Sequence, residues 1–230
     1  MKKIFLGALA LTAFAATASA ETPLWLRDAR ISPDGKQIAF TYKGEIFTVP
    51  VAGGEARRLT SQPSYETSPV WSPDSKTIAF ASDRNGNFDV YTMAADGKSA
   101  QWNRLTFNSA GEVPQAFSLD GKNVYYSASI QDPVESALFP SGRMSELYSV
   151  PVSGGAPVQV LATPALAMSW APDGKSFLYQ DVKGFEDAWR KHHTSSVTRD
   201  IWRYTPATGS HEAVINTAGE DLDPVDAGDY

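Results

Sequence analysis

Apolar and polar residues alternate along this chain in short runs that are separated by turn sequences. Residues 45–49 and 89–93 are examples, each rich in β-branched or aromatic side chains. A period of two in such runs is typical of half-buried β-strands. Beyond residue 20, no stretch keeps the 3.6-residue periodicity of an amphipathic helix. The pattern therefore predicts an all-β fold.

One turn sequence returns four times with similar flanks. Its copies lie at 31–40, 71–80, 117–126 and 170–179. In the Ser-Pro-Asp-Gly turn, proline presets φ, aspartate accepts bonds from nearby amides, and glycine takes the positive φ that reverses the chain. A strand precedes each turn and three strands follow it, so a repeat of about 40 to 50 residues holds four strands.

Four antiparallel strands at this period indicate the blades of a β-propeller. A sandwich would not explain a repeat of this length. The predicted blades span 24–60, 64–106, 112–161 and 165–217, and a further blade starts at 220–230. We therefore expect one propeller region over 21–230 that holds four blades and the start of a fifth, a partial propeller.

Two motifs make a family resemblance specific. One is Leu24-Trp25-Leu26-Arg27 followed by the turn at 31–35, and the other is the long fourth-repeat segment 183–202. With these motifs the chain resembles the WD-like propeller repeats of TolB and tricorn-type proteins, and in particular the amino-terminal propeller of exported bacterial tricorn-like serine peptidases. In that family the propeller precedes a helical region, a PDZ-like domain and a peptidase domain with the nucleophilic serine. The resemblance thus implies a chain truncated before the PDZ and peptidase domains.

The first 20 residues have the order of a secretory signal peptide. A basic start at residues 1–3 precedes an apolar run at 4–14, and Ala18-Ser19-Ala20 supplies a small-residue cleavage site. The apolar run is shorter than the roughly 20 residues that span a bilayer. We therefore expect export to the periplasm, cleavage after Ala20 and no membrane anchor.

Net charge and cysteine content exclude further classes of partner and of covalent modification. The net charge of −6 argues against a nucleic acid as the main partner. The chain has no cysteine, so disulfides and a lipid-modified cysteine are excluded, and the core alone must stabilise the fold.

The sequence offers little catalytic chemistry. It contains no Gly-x-Ser-x-Gly nucleophile turn, so we predict no catalytic residue, no cofactor and no enzyme activity in this chain. His192-His193, with Glu186 and Asp187 nearby, is the cluster that suggests a metal site or a general base. Adjacent residues of an extended segment point in opposite directions, so we favour a structural or interface role and predict no metal.

Two long insertions mark the predicted binding face. The connection between the second and third strands is tiny in the first repeat, but it covers about 131–144 in the third repeat and 182–198 in the fourth. Insertions on one face of a repeat protein often form its binding face. The candidate binding residues are Phe139, Arg143, Phe185, Trp189, Arg190, His192, His193 and Arg199. The alternative is that the insertions pack on each other and only close a rim.

Three functions remain open. The first is a non-catalytic module that recruits or gates a peptide or protein substrate for the downstream peptidase domains of a tricorn-like serine peptidase. The second is a stand-alone TolB-like periplasmic scaffold for protein interactions. The third is a propeller enzyme such as a glycosidase or lyase, which needs converging acids that the sequence does not place.

Overall fold

The computed structural model describes residues 24–99, 101–130, 144–184 and 194–228. Its strands form four antiparallel four-stranded sheets, which confirms the predicted all-β fold with propeller blades. No helix in these four ranges is long and apolar enough to cross a membrane. The predicted signal peptide lies outside the described residues.

Each blade contains four consecutive strands in up-and-down order. The first blade has β1 (Leu26–Ile31), β2 (Gln37–Tyr42), β3 (Glu45–Pro50) and β4 (Arg57–Arg58). The second has β5 (Glu66–Trp71), β6 (Thr77–Ser82), β7 (Asp89–Ala94) and β8 (Trp102–Arg104). The third has β9 (Glu112–Phe117), β10 (Asn123–Ala128), β11 (Glu146–Pro151) and β12 (Val158–Leu161). The fourth has β13 (Ala165–Trp170), β14 (Phe177–Asp181), β15 (Ile201–Thr205) and β16 (Ser210–Ile215).

Local sequence determines the turn between the first two strands of each blade. In the first blade, Ser32 Oγ donates to Asp34 Oδ1 over 2.6 Å, and the same oxygen accepts the amide of Lys36 over 3.1 Å. The hydrogen bond from Ser32 lowers the pKa of Asp34. The third blade repeats this geometry, where Ser118 lowers the pKa of Asp120 to about 2. The turns therefore form from residues adjacent in sequence.

The blades pack in sequence order through one face of each sheet. We call the face directed toward the preceding blade the leading face. In the second blade, Phe80 and Tyr91 of this face are buried against Ala39 and Ile46 of the first blade. In the third and fourth blades, the leading-face residues Val124, Tyr126, Tyr148, Val150, Phe177 and Tyr179 are likewise buried. Burial of aromatic and aliphatic side chains between blades thus supplies the core.

The leading face of the first blade has no such cover. Phe40 and Phe47, which align with Phe80 and Tyr91, stack at 5.7 Å but remain only half-buried, and all six residues of β1 are exposed. Among the described residues, extensive contacts between blades join only consecutive blades. The first blade therefore presents an open apolar face.

The segment 221–226 docks on the fourth blade in the manner of a first strand. Its third residue, Asp223, has φ of +50°, close to the +54° of Ser68 at the bulge of β5. The amide of Asp221 donates to the Arg199 carbonyl over 3.0 Å, as the amide of Glu66 does to the Gly44 carbonyl over 2.8 Å. The segment thus occupies the place where a fifth blade begins.

Candidate binding site

The first strands of the four blades and residues 223–225 surround an open cavity of about 350 Å³. Its wall is mostly apolar. Representative lining residues are Ile31, Trp71, Leu119, Met168 and Val225. A few polar groups, among them Gln115 and Ser169, interrupt this wall. The cavity is therefore suited to an apolar ligand with a small number of hydrogen-bonding groups.

Two tryptophan indoles donate hydrogen bonds across the interfaces between neighbouring blades. Trp71 Nε1 donates to the Arg30 carbonyl over 2.9 Å, and Trp170 Nε1 donates to the Phe117 carbonyl over 3.0 Å. Both tryptophans stand at the end of a first strand, and each donates across a blade interface to one of the last two residues of the preceding first strand. The indoles thereby tie successive first strands to each other around the cavity.

Side chains also satisfy the backbone amides at the bulges of the first strands. Gln115 Oε1 accepts the amide of Ala167 over 2.8 Å, and Gln180 Oε1 accepts the amide of Asp223 over 3.0 Å. In the third blade the residue aligned with Ala167 is Pro114, which has no amide hydrogen to satisfy. The backbone amides at these bulges are therefore satisfied, and we expect the first strands that carry the cavity wall to be rigid.

We define the insertion rim as the end of the blades where second and third strands are joined. The strand bounds place both long connections on this rim, after β10 and after β14. Residues 131–143 and 185–193 lie outside the described residues. The predicted binding residues Phe139, Arg143, Phe185, Trp189, Arg190, His192 and His193 fall there. Their binding role stays a prediction.

Arg199 is the predicted binding residue that the structure does describe. Its backbone amide donates to Glu220 Oε2 over 3.2 Å, and its carbonyl accepts the amide of Asp221. Arg199 therefore links the end of the fourth-blade insertion to the docked segment 221–226. The contribution of its side chain to binding remains a prediction.

A charged cluster holds the base of the same insertion. Lys183 Nζ donates to Asp200 Oδ2 and, over 2.9 Å, to the Thr198 carbonyl, and it lies 3.7 Å from Asp181 Oδ2. Partial burial by itself lowers the pKa of Lys183, but the hydrogen bond and charge of Asp200 and the charge of Asp181 raise it overall. This cluster fixes the two ends of the insertion relative to each other. Sequence reasoning missed it, although the lysine and both aspartates flank the insertion.

Carboxylates recur on the insertion rim at fixed places in the repeat. The third strands begin with Glu45, Asp89 and Glu146, and the fourth-blade equivalent is Asp200. Two of the following first strands begin with Glu66 and Glu112, which are fully or almost fully buried. The periodic acids were a signal in the sequence, but only the packing shows that they meet at blade interfaces.

These acids do not form a metal centre in the part of the chain that the structure describes. There, His, Asp and Glu side chains do not assemble into a group of three or more that could hold an ion. His211, the histidine among the described residues, lies with Nδ1 2.8 Å from the Tyr179 hydroxyl and packs against Tyr204. Its contacts are those of a structural residue on the fourth blade.

Comparison with known proteins agrees with this architecture. Residues 23–230 match the family model described as the tricorn protease N-terminal beta propeller domain. Tricorn protease homolog 1 of Streptomyces coelicolor is 26% identical over 177 residues, which are 74% of this chain and 15% of that protein. The protein named Uncharacterized peptidase YuxL of Bacillus subtilis is 28% identical over 175 residues, which are 72% of this chain and 23% of that protein. The chain spans 15 to 36% of the length of the curated relatives it matches.

Solved structures show the same fold. The crystal structure of the tricorn protease superposes with a TM-score of 0.66 at 21% identity, covering 86% of this chain and 19% of that one. TolB from Acinetobacter baumannii superposes with a TM-score of 0.60 at 18% identity, covering 87% of this chain and 45% of that one. The chain is a β-propeller domain and not a catalytic domain, and it belongs to the family of tricorn protease N-terminal β-propeller domains.

Proposed function

We propose that this chain is a non-catalytic propeller module that recruits or gates peptide substrate for proteolysis by an exported tricorn-like serine peptidase. The observation that carries the proposal is the open apolar cavity between the first strands. Its volume of about 350 Å³ lies near the lower end of the range of ligand pockets, roughly 300–1,000 Å³. The peptide and the downstream peptidase domains are the proposed partners.

Three features support this assignment. The family is named for a protease, and two relatives are named as a protease homologue or a peptidase. The cavity wall offers apolar side chains and hydrogen-bonded backbone, which suit transient contact with many sequences. The signal-like first 20 residues support export. A TolB-like scaffold is the alternative, and it differs by binding a folded protein rather than an extended peptide.

The first test removes the exposed apolar groups of the cavity. We expect the triple variant Ile31→Ser, Leu119→Ser and Val225→Ser to bind fluorescein-labelled peptides from a casein digest roughly tenfold more weakly, because each serine removes apolar contact area. Fluorescence anisotropy measures the dissociation constant. Val158→Ser is the matched control, since Val158 is equally exposed but does not line the cavity.

If the triple variant binds the peptides with unchanged affinity, the cavity is not part of the peptide-binding site. If the wild-type chain binds no peptide at all and captures only folded envelope proteins, the scaffold function replaces the proposed one.

The second test concerns the insertion rim. We expect that replacing both 131–143 and 185–193 by the short connection of the second blade, 83–87, leaves the far-UV circular dichroism unchanged and abolishes docking of the downstream peptidase domains. The reason is that the strands flanking both insertions already form complete ladders in their blades. Loss of the folded β-sheet signal would instead mean that the insertions are structural.

A further inference from the structure

Two buried carboxyl groups meet between the second and third blades. Asp89 opens β7 and is 0% exposed, and Glu112 opens β9 and is 1% exposed. The amide of Glu112 donates to the Phe88 carbonyl over 2.7 Å, which fixes the two strand ends next to each other. Burial raises the pKa of Asp89, and the Glu112 side chain lowers it, so the two carboxyl groups are within reach of each other. A carboxyl–carboxyl hydrogen bond requires a proton on one partner.

Among the described residues, the cation at this site is Arg104, which pairs with Asp89. Arg104 Nη2 lies 3.0 Å from Asp89 Oδ1 and 2.9 Å from Asp89 Oδ2. Glu112 itself faces the Thr106 hydroxyl, the backbone amide of Asn108 and, from β10, the buried Tyr126 hydroxyl. None of these three groups carries a positive charge, and the charge of Arg104 has the smallest effect on the pKa of Glu112, which it lowers, so a charge on Glu112 would be poorly compensated.

At the interface between the first and second blades, the equivalent buried glutamate has a cation and two hydroxyl groups as partners. Glu66 occupies the same place in the repeat as Glu112, and Arg84 Nη2 lies 3.5 Å from its carboxylate. The hydroxyls of Ser64 and Ser82 donate to the same Glu66 oxygen. The residues equivalent to these three partners at the Glu112 site are Ala110, Ala128 and Ile130. Glu112 is thus buried like Glu66 but without the ion pair and both hydroxyl groups.

We propose that Asp89 and Glu112 form a proton-dependent contact that stabilises the interface between the second and third blades while Glu112 is protonated and weakens it when Glu112 loses its proton. The neutral carboxyl donates to Asp89, whose negative charge Arg104 balances. Deprotonation removes that donor and places two negative charges against one guanidinium. The repulsion acts directly across the interface, since the two residues belong to different blades.

The pH range of this effect follows from the raised pKa of Glu112. Burial and the charge of Asp89 raise the pKa of Glu112 from 4.5 to about 7, and they outweigh the hydrogen bonds from Thr106 and Asn108 and the charge of Arg104, which lower it. Between these two values the folded chain holds a proton that the unfolded chain has released. The stabilisation is therefore complete below pH 4.5, decreases as the pH rises, and is lost once the pH passes about 7.

Urea denaturation of the full chain, followed by tryptophan fluorescence at pH 5.5 and 8.5, tests the proposal. We expect the Glu112 contact to lower the folded-to-unfolded ratio of the wild type about 30-fold between these pH values. Glu112→Gln keeps a neutral donor at the site, so this part of the pH dependence should disappear and the variant should exceed the wild type in stability at pH 8.5. Glu66→Gln is the matched control and should keep the wild-type pH dependence.

A second variant supplies the missing partners instead of removing the acid. Ala128→Ser with Ile130→Arg reproduces at Glu112 the partners Ser82 and Arg84 of Glu66, and it should also flatten the pH dependence. Carbon-13 NMR of the wild-type chain should find one glutamate carboxyl that titrates near pH 7 and is lost in Glu112→Gln. If both variants keep the wild-type pH dependence, or if no glutamate of the wild type titrates above pH 6, the proposal is wrong.

Discussion

Replacing Phe80 by alanine is expected to lower the free energy of unfolding by about 3–5 kcal/mol. Phe80 is 0% exposed on the leading face of the second blade, where its ring stacks on Tyr91 at 5.9 Å and meets the edge of Trp102 at 5.2 Å. The substitution leaves a cavity at the interface between the first and second blades, which close-packed neighbours fill only in part. Urea denaturation at constant pH measures the change.

The repeat supplies a matched control for this prediction. Phe40 occupies the same position in the first blade but is only half-buried, because no blade among the described residues precedes it. Phe40→Ala should therefore cost about 1–2 kcal/mol, since less apolar area returns to water. An equal loss in both variants would contradict the open leading face and would indicate that this face is covered in solution. Sedimentation of the wild type at several concentrations would then identify self-association.

Replacing Arg84 by methionine is expected to lower the free energy of unfolding by about 2–4 kcal/mol, because it leaves the buried Glu66 carboxylate without its cation. Glu66 is 0% exposed, and the guanidinium of Arg84 lies 3.5 Å from the centre of the Trp102 ring. Methionine retains apolar contact with that ring, so the loss reports mainly on the charge. Thermal and urea denaturation both measure it.

Two further variants separate the lost charge from lost packing. Arg58→Met removes the partner of Glu45, but both side chains are partly exposed, so we expect a change below about 1 kcal/mol. Combining Arg84→Met with Glu66→Gln removes the stranded charge and should recover part of the stability. If the double variant is no more stable than Arg84→Met alone, packing of Arg84 on the aromatic rings explains the loss.

Local sequence patterns were sufficient to predict the four-stranded blades. The strand alternation and the Ser-Pro-Asp-Gly turns predict four-stranded units because their hydrogen bonds join residues two to five positions apart. The same reasoning located the long insertions between the second and third strands, and the observed strand bounds agree. It also identified the start of a further blade, and residues 221–226 dock on the fourth blade with first-strand geometry.

Contacts between blades could not be predicted in the same way. The hydrogen bond from Trp71 to the Arg30 carbonyl, for example, joins positions 41 residues apart. Sequence reasoning placed the binding face on the insertions and did not anticipate the cavity lined by Ile31, Leu119 and Val225. These side chains come from three separate repeats and meet only after the blades have packed.

The sequence by itself determined the repeat, the four strands of each blade and the resemblance to tricorn-type propellers, because these depend on short-range turn chemistry and alternation. Only the tertiary structure decided which of the repeated buried acids have a positively charged partner. Glu66 and Glu112 look alike along the chain, yet one meets Arg84 and the other faces Ala128. The difference arises because the free energy of a buried charge depends on neighbours that other strands supply.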